Sequence, residues 1–138
     1  MKIEKATPIF VVDAIGPETI AFWEKTGWEK RAEVPHDGAI GFVLLENGGR
    51  ELMLQTRASV KEDLGNGLDP SFAFYMDVAS LEEARAEAER AGARVVIRER
   101  ETFYGARECW VLDPGGTLVG ISCMRRPASG GSVDAQPK

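Results

Sequence analysis

The sequence predicts an α+β fold built from two successive β-α-β-β-β modules. Three observations carry this expectation. Short β-branched and aromatic runs are bounded by Gly, Pro and Asn; a helix-start signal follows the first strand of each half; and matching segments recur at an offset that drifts from 64 residues (Phe10 to Phe74) to 67 (Leu45 to Leu112). A chain of 138 residues, 43% apolar and 28% charged, has the size of one ordinary domain. Such a chain buries roughly two-thirds of the surface its unfolded form exposes, so it needs no disulfide or metal staple.

The first half opens with Thr7-Pro-Ile-Phe-Val-Val-Asp13, a β-branched run that reads as a strand. Gly16-Pro17 then starts a helix, because proline at the first helical position loses only an N–H that has no partner there. Ile20 and Trp23 give that helix one apolar stripe, and Gly27 ends it. Strands are expected at about Trp28 to Val34, Ala39 to Leu45 and Glu51 to Thr56, the last two joined by the turn Asn47-Gly48-Gly49. From Ser59 to Pro70 the chain is polar and Gly-rich, and reads as a connector.

The second half repeats the order. Ser71 to Asp77 reads as a strand, and Ser80-Leu-Glu-Glu83 has capping-box spacing, which satisfies two orphan donors at a helix start. Leu81, Ala84, Ala88 and Ala91 share one face of that helix, and Gly92 stops it. Strands follow at about Ala93 to Arg98, Glu108 to Leu112 and Leu118 to Met124, with Asp113-Pro-Gly-Gly116 as the last hairpin turn. The two modules span about 5–57 and 70–126 within one domain of residues 1–126, and 127–138 reads as a flexible tail.

Composition removes several classes of function. Two cysteines make no secreted disulfide framework, and there is no C-x-x-C pair for zinc. The N-terminal Met1-Lys2-Ile3-Glu4-Lys5 has no signal-peptide core, and no apolar stretch approaches the length of a membrane helix, so a cytoplasmic location and no membrane partner are expected. The net charge is −5, and positives alternate with carboxylates, as in Arg98-Glu99-Arg100-Glu101, which argues against nucleic acid as a partner. An acidic surface favours a cationic ligand through steering.

The tandem modules, together with Tyr104-Gly105-Ala106-Arg107-Glu108 ahead of Asp113-Pro-Gly-Gly-Thr117, resemble the vicinal oxygen chelate superfamily, which includes glyoxalase I, extradiol dioxygenases, fosfomycin resistance proteins and bleomycin resistance proteins. The resemblance implies curved mixed sheets enclosing a cup for ligand or metal, commonly in a homodimer. It also implies where metal ligands stand in the superfamily's metal enzymes: near the start of each first strand and in each last strand. Here those places fall on Ala6 or Thr7, Ser71, Met53 and Gly120, none of which is a strong ligand for a divalent ion. Glu51 shares a strand face with Met53, and one carboxylate is not a site. The only histidine, His36, lies in the turn-like Pro35-His36-Asp37-Gly38. No metal and no cofactor are therefore expected.

Strand alternation from those places nominates the side chains that would line the cup. Apolar area is expected from Met53, Tyr75 and Trp110, and polar contacts from Thr7, Glu51, Gln55, Tyr104, Glu108 and Ser122. Such a mixture suits a small organic ligand, with a cationic or amino-bearing one favoured by the two glutamates. Cys109 and Cys123 fall on the opposite face, towards the helices, as buried thiols. The leading expectation is a non-catalytic protein that sequesters a drug or metabolite, as the bleomycin resistance-like members do. The alternative is a metal-independent lyase or isomerase with Glu108 or Glu51 as general base and Tyr104 or Tyr75 as acid. A metal lyase completed at Glu51 by a partner-chain group is the third reading.

Overall fold

The computed structural model describes residues 1–124, so the tail expected at 127–138 lies outside the described residues. The element order is β1 (Ile3–Val12), α1 (Pro17–Lys25), β2 (Glu29–His36), β3 (Ala39–Asn47), β4 (Arg50–Thr56), α2 (Arg57–Leu64), β5 (Phe72–Val78), α3 (Leu81–Arg90), β6 (Arg94–Glu101), β7 (Arg107–Leu112) and β8 (Leu118–Cys123). This is the expected α+β class with the β-α-β-β-β order twice over. No helix among the described residues is long and apolar enough to cross a membrane. The chain divides into two compact units, Thr7–Ala73, and Met1–Ala6 with Phe74 onward, so β1 and β5 each pass from one unit to the other.

In the Thr7–Ala73 unit the strands lie in the order β2-β3-β4-β1. β1 runs parallel to β4, with Ile9 opposite Met53 and Val11 opposite Gln55, and the other pairs are antiparallel. Alternation puts Val43, Leu45, Leu52 and Leu54 on one face, where they form the core with Ile15 and take Ile20 and Trp23 of α1 against them. Trp23 also meets Trp28 edge-on at 6.2 Å and stacks on Phe10 at 6.4 Å. The opposite face carries Phe42, Leu44, Met53 and Gln55, all half-buried.

The segment read as a connector contains a helix. Thr56 caps α2 by accepting the Ser59 N–H at 3.2 Å, Val60 and Leu64 are buried one turn apart, and Gly65 ends it in the left-handed region at φ 63°. Two buried apolar side chains in eight residues give too weak a period to stand out among the glycines that follow. β1 starts at Ile3, earlier than Thr7, and β2 runs through His36, which leaves Asp37-Gly38 as the turn.

In the other unit the order is β5-β8-β7-β6. The capping residue behaves as expected: the Ser80 hydroxyl accepts the Glu83 N–H at 3.3 Å. Leu81 and Ala84 of α3 pack on Val78, Cys109, Val111, Ile121 and Cys123, so both thiols lie on the helix-covered face. The opposite face holds Tyr75, Glu108, Trp110, Gly120 and Ser122.

Candidate functional site

Three strands bring one polar row into register. Arg100 of β6 stands opposite Glu108 of β7, and Glu108 opposite Ser122 of β8; in the next row Ile97 faces Trp110 and Trp110 faces Gly120. Glu108 is only 3% exposed, so its carboxylate must be met by protein groups. Arg100 Nε donates to Oε2 at 2.8 Å and Trp110 Nε1 to the same oxygen at 2.7 Å, while the Tyr75 hydroxyl donates to Oε1 at 2.5 Å. Beyond Tyr75 the chain continues outward: the Tyr104 hydroxyl lies 3.0 Å from that of Tyr75.

The loop between β6 and β7 holds Tyr104 in place. Thr102 N–H donates to the Ala106 carbonyl at 2.8 Å, Gly105 N–H to the Thr102 carbonyl at 3.1 Å, and Ala106 N–H to the Thr102 hydroxyl at 2.9 Å. Phe103, 83% exposed, packs edge-on against Tyr104 at 5.2 Å. Burial, and then the neighbouring Glu108 charge, push the Tyr75 hydroxyl far above the ordinary phenol range. Burial also raises Tyr104. Both phenols therefore keep their protons.

Gly120 tests whether a metal ligand fits the corresponding place in β8. A Cβ there would lie 2.6 Å from Tyr75 Cδ1, 2.8 Å from Trp110 Cη2 and 2.9 Å from Trp110 Cζ3. Two aromatic rings thus occupy the space a ligating side chain would need, and the Tyr75 and Trp110 rings face each other at 5.6 Å. The residues at this corner do not fit a metal. Among the described residues one mixed group, His36, Asp37 and Glu62, has donor atoms within 4.8 Å of one another. It belongs to the other unit, and its imidazole is already held by the Glu62 carboxylate.

Of the nine residues nominated from the sequence, five come together here: Tyr75, Tyr104, Glu108, Trp110 and Ser122. The other four belong to the Thr7–Ala73 unit. Thr7 is buried on β1, Glu51 and Met53 are half-buried on β4, and Gln55 donates to the Ser59 hydroxyl of α2 at 2.9 Å. Arg100 is the residue that sequence reasoning missed. Its signal was the alternation Arg98-x-Arg100, blurred because the β6–β7 register shifts twice, between Val95 and Ile97 and between Ile97 and Arg100. That pairing also changes the expected role of Glu108, whose charge is offset by a guanidinium.

Four strands packed on a helix in each unit, with the β-α-β-β-β order twice over, define an α+β scaffold of the superfamily that the sequence resembles. The family model for the glyoxalase/bleomycin resistance protein/dioxygenase superfamily matches residues 8–121, and the chain belongs to that superfamily. A superfamily member from Vibrio splendidus 12B01 superposes with a TM-score of 0.65 at 20% identity, over 88% of this chain and 99% of that one. A protein from Staphylococcus aureus gives 0.61 at 13% identity, over 91% and 100%. A methylmalonyl-CoA epimerase, solved with methylmalonyl-CoA and ammonium, gives 0.61 at 20%, over 85% and 91%. At these identities the likeness is one of fold. Among functionally curated proteins none matches.

Proposed function

We propose that this chain binds a small organic molecule, a drug or metabolite, and sequesters it without breaking a bond in it. The single observation that carries this reading is the state of Glu108: both oxygens are engaged, by Arg100, Trp110 and Tyr75. A carboxylate held by a guanidinium and two further donors is a poor general base, because taking a substrate proton would first require giving up those bonds. The rings packed over Gly120 argue in the same direction against a resident metal at that corner. What remains accessible is the half-buried Tyr104 hydroxyl beside the exposed Phe103 ring, an aromatic and hydroxyl edge that suits orientation of a ligand whose affinity comes from apolar burial.

Protection would then follow mass action, with the ligand withheld from its target in proportion to the protein present. We place the active form in a homodimer in the cytoplasm; light scattering that returns a monomer mass would remove the first part. The test of function is a thermal-shift screen of amine-bearing natural products and divalent metals against the full chain, since a ligand of the native state raises apparent stability. A stabilising compound recovered chemically unchanged after prolonged incubation supports the reading. Turnover of the compound, or stoichiometric transition metal in the purified protein, overturns it.

A further inference from the structure

The hydroxyl chain that starts at Glu108 has a fixed direction, and that direction selects ligands. Glu108 meets only donors, so the hydrogen of the 2.5 Å contact belongs to Tyr75. A phenol has one hydrogen and two acceptor positions. On Tyr75 the hydrogen goes to Glu108, which leaves only acceptor positions towards the Tyr104 hydroxyl. Tyr75 has no second hydrogen to offer, so Tyr104 is the donor across their 3.0 Å contact. With its own hydrogen spent inward, Tyr104 can only accept from outside.

Resting on the binding function proposed above, we infer that the ligand group seated against Tyr104 is a hydrogen-bond donor, an ammonium or another N–H, and that an acceptor such as a carboxylate is rejected there. The exposure gradient supports Tyr104 as the reading end of the chain. Glu108 is 3% exposed and Tyr75 8%, while Tyr104 is half-buried beside the exposed Phe103. Charge alone does not give this selectivity, because Arg100 lies 2.8 Å from Glu108 and offsets it. The order of the hydroxyl hydrogens does. A carboxylate against Tyr104 would set two acceptors face to face, with no hydrogen between them.

The test is an NMR titration of the full chain with benzylammonium, benzyltrimethylammonium and benzoate. The first two share charge and ring but differ in the N–H. Benzylammonium is expected to bind about tenfold or more tightly than either of the others, the size of one well-made hydrogen bond. Tyr104→Phe is expected to abolish the gap between the two ammonium probes. In Tyr75→Phe, Tyr104 regains its hydrogen for outside use, and benzoate is expected to gain relative to benzylammonium. Equal binding of the three by the wild-type chain, a preference for benzoate, or an ammonium gap that persists in Tyr104→Phe overturns this inference and leaves the binding function standing. Binding of none of the three overturns both.

Discussion

Replacing Gly120 by alanine tests the packing on which the metal argument depends. The added Cβ meets three carbons between 2.6 and 2.9 Å, and all belong to rings held in place: Trp110 is 5% exposed, and Tyr75 is tied by its hydroxyl to Glu108 and Tyr104. Gly120 does not occupy the left-handed region, so the cost is steric rather than a backbone penalty. Overpacking of this kind costs about 1–3 kcal/mol, here at the upper end because moving Tyr75 also stretches hydrogen bonds. Against this, alanine in a strand regains roughly 0.5–1 kcal/mol over glycine. The net loss is about 2 kcal/mol, or roughly 7 °C in melting temperature for a chain of this length. Thermal unfolding by far-ultraviolet circular dichroism measures it, and near-ultraviolet dichroism reports whether the two rings shift. A melting temperature within a degree of wild type, or above it, would show that the rings yield and that the corner has room for a side chain.

Three further outcomes are expected. Glu108→Ala leaves a guanidinium, an indole N–H and a phenol without their acceptor and should cost about 3 kcal/mol in urea unfolding, whereas a loss under 1 kcal/mol would mean the network is not formed. Cys109, whose thiol burial pushes up to about 11, should stay unlabelled by Ellman's reagent at pH 8 until the protein is denatured. Arg31 holds the Glu46 carboxyl below the ordinary range, and Arg107 does the same for Glu82 and Glu99. Depressed carboxyls contribute stability above their unfolded pKa and lose it as pH falls through the folded one, so carbon-detected NMR should find these three titrating below ordinary glutamates. The groups are exposed, so the effect on stability is small and fades with salt.

The legibility of this chain followed the strength of its local periods. Strand alternation placed Tyr75, Glu108, Trp110 and Ser122 on one face correctly, because β5, β7 and β8 are short and the β7–β8 register runs unbroken from Arg107 to Leu112. Arg100 escaped because a register that shifts twice breaks the parity count between Val95 and Arg100. α2 escaped because Val60 and Leu64 are its only apolar pair at helical spacing. The direction of the hydroxyl chain was not legible at all: it arises from contacts between residues 29 and 33 apart, Tyr75 with Tyr104 and with Glu108, which no local pattern encodes.

The duplicated architecture supplies its own control for why that polar row exists. Equivalent rows of the two units differ in chemistry at nearly every position. In one unit Val34, Phe42, Gln55 and Val11 stand side by side across β2, β3, β4 and β1, and the single polar group, Gln55, turns to Ser59. In the other, Arg100, Glu108 and Ser122 stand across β6, β7 and β8, with Tyr75 of β5 bonded to Glu108. Apolar residues therefore serve this lattice well, and a buried ionic row contributes no more stability than a well-packed apolar one. Nor does such a row assemble piecemeal, since Glu108 without Arg100, or Tyr75 without Glu108, leaves a buried group unmet. Packing alone explains the first row. Packing alone does not explain the second, and an ordered chain of hydroxyls ending at a half-buried tyrosine fits the ligand recognition proposed above.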